Sequence, residues 1–457
     1  MTDYTNPVPL GDLPDGWKIK SIDSLCRSVT SGGTPLRSNP RFYRNGAIKW
    51  IKTKELKDWF IDDSEEKITE EALEESSAKL FPPNTVLMAM YGDGKTITSL
   101  GIIRNESATN QACCAMIADP DVCDYLYLFY SLKYHRSDFI QLATGGAQRN
   151  LSGTLIRNFA IMVPPLPEQR AIARILGTLD NKIELNRRMN ETLEAMARAI
   201  FKSWFVEFDP VRAKVEGREP EGMDAETAAL FPDSFEETEL GMVPKGWRVA
   251  SLGSIVDIVD CLHSRKPERQ PHGKPLLQLN NIQDMGLIDM SSTYWISESD
   301  YEFWISRIEA QAGDCVITNV GRVGAVAQMP VGLKAALGRN MTALRCNRLY
   351  PFPTFLVQCL LSSAMAKEIQ SKIDIGTILE ALNVKNIPKL RFVLPSRKIV
   401  SPFEKICRPI RAKMEQNLLE SKTLSDIRDV ILPALLSGEI PVNGVVINHY
   451  GLNENKL

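Results

Sequence analysis

The sequence repeats itself at an offset of about half the chain, and this internal repeat limits the folds open to it. The stretch LPDGWKIKSI at 13–22 recurs as VPKGWRVASL at 243–252, with proline, glycine and tryptophan in register. A second match joins NLSGTLIRNFAIMVPPLPEQ at 150–169 to ALNVKNIPKLRFVLPSRKI at 381–399. We therefore expect two copies of one scaffold that share structural positions and differ in the residues between them.

Short apolar runs bounded by Gly, Pro and Asn predict several strands in each half. These runs include AIKWIKT, TVLMAMYG and TSLGIIR in the first half and DCVITNVG, AVAQMPV and MTALRCN in the second. A longer apolar stretch at 121–143 is typical of a helix. Each half is therefore predicted to contain a mixed α/β domain whose sheet is largely antiparallel.

Beyond each globular part the apolar period changes to seven residues, the repeat of a coiled-coil helix. One heptad position holds Ile172, Leu179, Asn186, Leu193 and Ile200 in the first half, and Phe403, Ile410, Asn417, Leu424 and Ile431 in the second. The other predicted position, three residues on, holds Ile175, Lys182, Met189 and Met196, and then Ile406, Lys413, Glu420 and Ile427.

Both apolar seams are interrupted by an asparagine, Asn186 or Asn417, and by a lysine just before it, Lys182 or Lys413. A polar residue inside a seam lowers stability and specifies register. Matching interruptions predict that the two helices pack on each other and that these four residues set the register. The alternative, in which each helix buries its apolar face on its own globular domain, stays open at this point.

These patterns predict a mixed α/β (α+β) fold with an internal pseudo-twofold repeat. The expected segments are a first globular domain at 1–165, a first helix at 166–208, an acidic linker at 209–240, a second globular domain at 241–396, a second helix at 397–440 and a C-terminal tail at 441–457.

Charge is segregated along the chain, although the formal net charge is only −2. Positions 18–57 carry ten basic residues, and the run that follows, 58–75, is strongly acidic. A smaller basic cluster, HSRKPERQPHGK, lies at 263–274. Basic patches with aromatic neighbours such as Tyr43 and Trp50 suit a nucleic-acid surface. A solvated face that is balanced by nearby acids explains the same pattern equally well.

The sequence lacks the motifs of the enzyme classes that such a chain suggests. YGDGKT at 91–96 is not a complete phosphate-binding loop, because Ala89 stands where the first glycine is required. Glycine-rich methyl-donor loops, nuclease carboxylate sets and hydrolase signatures are missing. The nine cysteines and four histidines do not have zinc-site spacing. We therefore expect no catalytic residue and no metal site.

No run of residues reaches the roughly 18 apolar positions that a membrane-spanning helix needs. The N-terminal residues MTDYTNPVPL lack the basic start and apolar run of a signal peptide. The sequence therefore favours a cytoplasmic protein that has no membrane partner.

The segment NFAIMVPPLPEQRAIARILGTLDNKIELNRRMNETLEAMARAIFKSWFVEFDPV at 158–211 resembles the first conserved helical region of specificity subunits of Type I restriction–modification systems. The stretches at 13–22 and 243–252 are similar to the openings of their two target-recognition domains. The resemblance covers nearly the whole chain. The second half departs from it, since LPSRKIVSPFEKI lacks the Glu-Gln pair of the first helix.

This resemblance implies a sequence-specific, non-catalytic DNA-recognition subunit. Each recognition domain would read one half of a bipartite, asymmetric target in double-stranded DNA. The helices would form an antiparallel coiled coil that sets the spacing of the half-sites. The implied partners are two modification subunits, which methylate adenine N6, together with restriction subunits. The chain itself would bind no cofactor, and S-adenosylmethionine, ATP and Mg would belong to the partners.

Candidate DNA-binding residues are basic or amide side chains in loops at matched places of the repeat, because such groups read base edges and phosphates. In the first domain they are Arg41, Arg44, Lys52, Lys54, Lys95 and Arg149. In the second domain they are Arg265, Lys266, Asn280, Asn281, Arg322 and Arg339.

Two other functions remain open on the sequence. A protein-binding scaffold would bind partners without any preference for a DNA sequence. An autonomous enzyme would act on DNA through a site that no known motif marks.

Overall fold

The structure, a computed structural model, describes residues 13–92, 96–145, 149–375 and 380–442. The described residues form two compact units. The first consists of the chain up to Ile183 together with the residues from Thr423 onward, and the second is Glu184–Lys422. Both unit boundaries fall within long helices, Leu166–Lys202 and Arg397–Leu436, so each unit contains parts of both helices.

The first unit contains two main sheets and a strand pair that joins the start of the domain to its end. Lys18–Ser21 pairs antiparallel with Ala160–Val163, just before the first long helix. The five-stranded sheet has the order Cys26–Ser31, Cys113–Ala118, Val86–Ala89, Leu100–Ile103 and Trp59–Ile61. The four-stranded sheet has the order Lys67–Ile68, Ile48–Ile51, Ser107–Thr109 and Leu80–Phe81. Tyr91–Gly92 pairs with Arg149–Asn150.

The helices of the first unit, besides the long ones, are Glu70–Glu74, Tyr125–Tyr134, Arg136–Leu142 and Gly153–Asn158, with 3-10 turns at Asp23–Leu25, Pro40–Phe42 and Thr53–Glu55. The single helix expected at 121–143 is thus two helices that meet at His135. Asp124 begins the first of them by accepting hydrogen bonds from the backbone N–H groups of Leu126 and Tyr127 at 2.9 and 3.1 Å. Such N-terminal caps satisfy helix donors that would otherwise be unpaired.

The second unit repeats this plan with shorter sheets. Arg248–Ser251 pairs antiparallel with Arg391–Leu394, just before the second long helix. One sheet has the order Val256–Asp260, Met341–Cys346, Cys315–Thr318 and Val326–Gln328, and another has Tyr294–Ile296, Lys274–Leu277 and Ala336–Leu337. Two small pairs join Phe235–Thr238 to Gly241–Pro244 and Ile373–Ile375 to Glu380–Leu382.

Its helices are Asp209–Val215, Ala225–Ala229, Glu298–Trp304, Pro353–Leu361 and Ser363–Gln370, with a π-helical turn at Ser203–Glu207 and 3-10 turns at Leu252–Ser254, Leu279–Asn281, Asp284–Gly286 and Val384–Lys389. Across the described parts of both units, none of the helices combines the length and apolar character that crossing a bilayer requires.

The repeated Pro-x-Gly-Trp motif forms the same turn in both units. The backbone N–H of Trp17 donates to the carbonyl of Pro14, and that of Trp247 donates to the carbonyl of Pro244, each at 3.0 Å. Gly16 and Gly246 both have a φ of +80°. A positive φ at the third residue of such a turn favours glycine. The internal repeat is confirmed, and its invariant residues are explained by backbone geometry.

The departure at the second helix start also has a structural reason. In the first unit the amide of Gln169 is buried, accepts from the N–H of Asp124 at 3.0 Å, and donates to the carbonyls of Val122 and Pro164 at 3.1 and 3.0 Å. The matching place in the second unit is Val400, which is fully buried in an apolar core. One helix start is therefore held by hydrogen bonds and the other by apolar packing.

The two long helices pack antiparallel within each unit. In the first unit, Leu176 shares a core with Leu432, and the Asp180 carboxylate pairs with Arg428. In the second unit, the Asn190 amide donates to the carbonyl of Met414 at 3.0 Å. Because numbers rise along one helix as they fall along the other, the predicted mutual packing of the helices is confirmed.

The predicted second heptad position is wrong. Met196, Ile406 and Ile427 are 49%, 42% and 45% exposed. The buried stripe instead follows residues four places after the first position, and these include Leu176, Asn190, Ala197, Cys407 and Met414. Third and fourth neighbours lie close together on a helix face. Some residues of the buried stripe are polar, and their hydrogen-bond partners lie on the other helix. Choosing heptad positions by apolar content therefore selected the more exposed position.

The segment at 209–240 is not a simple linker, which corrects its predicted role. Asp209–Val215 and Ala225–Ala229 are helical, and Phe231 is 2% exposed. The Phe231 ring lies with its centroid 5.3 Å from that of Trp204 and 6.4 Å from that of Trp247. The acidic composition of this segment did not indicate that it contains a buried aromatic residue. The other predicted domain boundaries stay predictions.

We expect Phe403→Ala to destabilise the second unit strongly, because the fully buried ring lies 5.1 Å from the ring of Phe205 and 5.8 Å from that of Phe201. Removing a buried phenyl group costs about 3–5 kcal/mol. Chemical denaturation followed by tryptophan fluorescence measures this destabilisation. Phe303→Ala is the matched control, since Phe303 is 55% exposed. Equal midpoints for the two variants would contradict this account of the core.

Candidate nucleic-acid interface

The basic run of the first half is built around a buried tryptophan. Trp50 is 1% exposed, and its indole N–H donates to the carbonyl of Gly33 at 3.0 Å. The guanidinium of Arg37 lies 4.6 Å from the Trp50 ring centroid and 4.9 Å from that of Tyr43. The ammonium of Lys52 lies 5.9 Å from the Trp50 ring. Aromatic rings therefore place these cations on one surface.

Acids from the next segment neutralise much of this surface. Glu66 pairs with both Arg37 and Lys52, and hydrogen bonds from these two cations hold the pKa of Glu66 below its ordinary value. Glu65 pairs with Lys54. These contacts explain how strongly basic and strongly acidic runs coexist, and they reduce the charge that the first half offers to a phosphate.

The remaining candidates of the first half differ in their surroundings. Arg41 pairs with Glu71 at 2.9 Å. Arg44 is exposed, and its guanidinium has no ion pair among the described residues. Arg149 is exposed and donates to the carbonyl of Ile140 at 3.1 Å. Lys95 lies outside the described residues.

In the second half, three cations share a small exposed surface. The Lys266 ammonium lies 3.9 Å from the Tyr294 ring centroid, and the Arg269 guanidinium lies 5.8 Å from the same ring. Partial desolvation of the ammonium lowers the pKa of Lys266, and the positive charges of Arg339 and Arg269 lower it further. Cations held close together are stabilised when an anion binds. Arg269 is not among the predicted DNA-binding residues, although it belongs to the basic run at 263–274 that indicated this surface. Arg265 in the same run is also exposed.

The loop between Lys274–Leu277 and Tyr294–Ile296 carries two of the predicted amides, and the structure separates them. Asn280 is exposed, and its amide donates to the hydroxyl of Ser292 at 2.9 Å. Asn281 is fully buried: its side chain accepts from the N–H of Gln278 at 2.8 Å and donates to the carbonyl of Asp289 at 2.7 Å. The prediction that Asn281 binds DNA is therefore corrected, because its side chain holds the loop together.

Arg322 reaches this loop from the turn that follows Cys315–Thr318. Its guanidinium donates to the carbonyl of Ile282 at 2.6 Å and pairs with Asp284 at 3.0 Å, while about half of the side chain, 49%, stays exposed. Arg322 and Asn280 are thereby brought to the same loop surface. Their contact with DNA stays a prediction.

The four predicted register residues fall into two groups. Asn186 and Asn417 are buried in the helix pair of the second unit, where Asn186 donates to Glu420 at 2.8 Å and Asn417 donates to Asn190 at 2.9 Å. Lys182 and Lys413 are only half-buried, at the heptad position that the buried stripe does not follow. The structure thus supports a buried asparagine layer, whereas the two lysines are only half-buried beside it.

One group of potential metal ligands occurs within the described residues. Atoms of Asp260, Cys261 and His263 lie within 4.8 Å of one another. Arg307 lies 3.8 Å from the Asp260 carboxylate, and His263 lies 2.7 Å from it. Burial raises the pKa of the Cys261 thiol, which disfavours the thiolate that binds a metal. This group is therefore explained as an ion-paired carboxylate beside a core thiol.

The chain is similar in sequence to known specificity subunits. Residues 14–195 match the family described as Type I restriction modification DNA specificity domain. The chain is 27% identical over 449 residues to the Type I restriction enzyme MjaIX specificity subunit of Methanocaldococcus jannaschii, with 95% of each chain covered. It is 28% identical over 328 residues to the HindI specificity subunit of Haemophilus influenzae, covering 62% of this chain and 70% of the relative.

A solved structure shares the fold. The S subunit of the Type I restriction-modification system from M. genitalium matches with a TM-score of 0.56 at 17% identity, covering 93% of this chain and 98% of that one. The similarity therefore extends well beyond the first half and includes the architecture of both units.

We expect Lys266→Ala combined with Arg339→Ala to weaken binding of duplex DNA and to reduce its salt dependence. Removing one phosphate-binding cation makes the slope of log affinity against log salt less steep by about 0.9, hence by about 1.8 for two such cations. Fluorescence anisotropy of the full chain across a salt series measures this change. Arg218→Ala with Lys245→Ala removes the same charge from exposed places outside both basic surfaces. An unchanged slope in the first double variant would remove these two residues from the interface.

Proposed function

We propose that the chain is a specificity subunit of a Type I restriction-modification system and that it reads a bipartite, asymmetric target in double-stranded DNA. The family match over residues 14–195 and the similarity to two specificity subunits support this proposal. Specificity subunits are the non-catalytic recognition subunits of such systems. In this proposal each globular part reads one half of the target, and the helix pair sets the spacing between the halves.

The observation that carries the proposal is a repeated scaffold with unlike surfaces. Both units have the same Pro-x-Gly-Trp turn, the same strand pair before a long helix and a comparable set of sheets. Their cations differ: the first half holds Arg37 and Lys52 around Glu66, and the second holds Lys266 and Arg269 around Tyr294. Two similar supports with different side chains suit the recognition of two different sequences.

The charge distribution supports a shared role with partner proteins. Phosphate contacts provide much of the affinity of DNA-binding proteins. This chain has a net charge of −2, and many of its cations are paired with acids. We therefore propose that two modification subunits supply much of the phosphate binding, carry S-adenosylmethionine and methylate adenine N6. Restriction subunits would add ATP- and Mg-dependent cleavage, and the complex would act in the cytoplasm.

The decisive experiment maps N6-methyladenine in cellular DNA. Cells express this chain with the modification subunit of its own system, or either protein alone. We expect one new bipartite motif only when both proteins are present, because recognition and chemistry reside on different chains. Long-read sequencing of the DNA detects both the motif and its spacer.

The other outcomes separate the alternatives. A stable complex without any new motif would indicate a protein-binding scaffold. A motif, or modified DNA, produced by this chain alone would indicate an enzyme with an unrecognised site. Either result would overturn the proposed function.

A further inference from the structure

One arginine of the second long helix is buried against the adjoining globular part. Arg411 is 4% exposed. Its guanidinium donates to the carbonyl of Met285 at 2.8 Å and to the carbonyl of Gly286, and its Nε donates to Glu415 at 3.3 Å. A buried charge is costly unless it is paired and hydrogen-bonded. These contacts satisfy the guanidinium and fix it to a loop as well as to its own helix.

The loop is shaped to accept this arginine. Met285 and Gly286 have φ values of +61° and +70°, the left-handed region that L residues with side chains rarely adopt. A Cβ at position 286 would lie 3.0 Å from Leu361, 3.1 Å from Val357 and 3.3 Å from Arg411. The backbone is therefore enclosed between Pro353–Leu361 on one side and the Arg411 guanidinium on the other.

The same loop carries the predicted base-reading surface. Ile282, three residues before Met285, accepts a hydrogen bond from Arg322, and Asp284 pairs with Arg322. The Gln283 amide donates to the carbonyl of Asn280 at 2.7 Å. A chain of hydrogen bonds and an ion pair therefore leads from Arg411, through the loop backbone, to the exposed side chains of Asn280 and Arg322.

The matching place in the first half is different. The repeat that aligns Asn186 with Asn417 aligns Asp180 with Arg411. The Asp180 carboxylate accepts from the Tyr130 hydroxyl at 2.8 Å and pairs with Arg428 of the other long helix. In the first unit, Asp180 thus joins the two long helices to each other and to the helix Tyr125–Tyr134. Among the described contacts of the Asp180 side chain, none is with a loop backbone.

We propose that Arg411 is a positioning residue for one half-site. It does not touch DNA, but it holds the loop at 278–293 so that Asn280 and Arg322 face the bases. This inference rests on the proposed function. Since Asp180 does not make the equivalent contact, disturbing Arg411 affects recognition of one half of the target and leaves the other half unchanged.

The test maps methylation for Arg411→Met and Arg411→Lys, each expressed with the modification subunit. Methionine keeps most of the volume and removes every donor, whereas lysine keeps the charge and can reach only part of the carbonyl pair. For Arg411→Met we expect methylation at sites altered in one half of the motif to rise about tenfold relative to the intact site, within the discrimination that one base contact supplies. The lysine variant should fall between wild type and methionine.

Arg408→Met is the matched control, because Arg408 lies one turn earlier on the same helix and is exposed. It should keep the wild-type motif in both halves. Thermal unfolding of each purified complex shows whether a variant is folded.

A second route disturbs the same contact from the loop side. Gly286→Ala introduces a Cβ against Leu361, Val357 and Arg411, and it should relax the same half of the motif. Gly332→Ala is its control: Gly332 also has a positive φ, +85°, but a Cβ there meets no atom within 4 Å. Should Arg411→Met fail to fold, the lysine and Gly286 variants decide the matter.

The outcomes are distinct. Relaxation of one half by both routes supports the inference. An unchanged motif, or equal weakening of both halves in a folded complex, overturns it and gives Arg411 a purely structural role. Absence of any motif with the wild-type chain is a different result, because it contradicts the proposed function itself.

Discussion

Packing between the two long helices is the interaction on which both globular parts depend. In the first unit Leu176 and Leu432 join the helix pair to the core that includes Trp17, and in the second Phe201 and Phe403 do the same for the core that includes Trp247. Because the helices are antiparallel, each unit uses the beginning of one helix and the end of the other. Each of the two similar halves of the chain is therefore supported by a similar pair of helix segments.

Polar residues inside this helix pair limit how it can be assembled. Asn186, Asn190 and Asn417 are linked by hydrogen bonds that exist only in one register. Buried polar groups are costly when unpaired, so a shifted register would break these bonds and keep the cost. The layer lowers stability and favours one alignment of the helices, as the proposed spacing role of the helix pair requires.

The two halves share their turns and differ in contacts made by matched residues of the long helices and around the candidate surfaces. The Pro-x-Gly-Trp turns are alike, whereas Asp180 joins helices and Arg411 holds a loop. Glu66 neutralises the cations around Trp50, while Lys266, Arg269 and Arg339 remain close together. The turns are alike because a positive φ favours glycine at their third residue. The exposed cations can differ because each can change without disturbing a core.

Turn chemistry and apolar periodicity are local properties, so the amino-acid sequence was enough to predict the repeat, the mixed α/β class and the two long helices. It also located the basic runs from which the candidate surfaces arise. Which side chains face solvent depends on the fold, since Asn280 and Asn281 are neighbours, yet one is exposed and the other is buried. It decided which helix face is buried, since residues such as Asn190 and Arg411 are satisfied by partners distant in the chain. A hydrogen bond between residues far apart in sequence leaves no local pattern, and for that reason these choices could be made only after the fold was known.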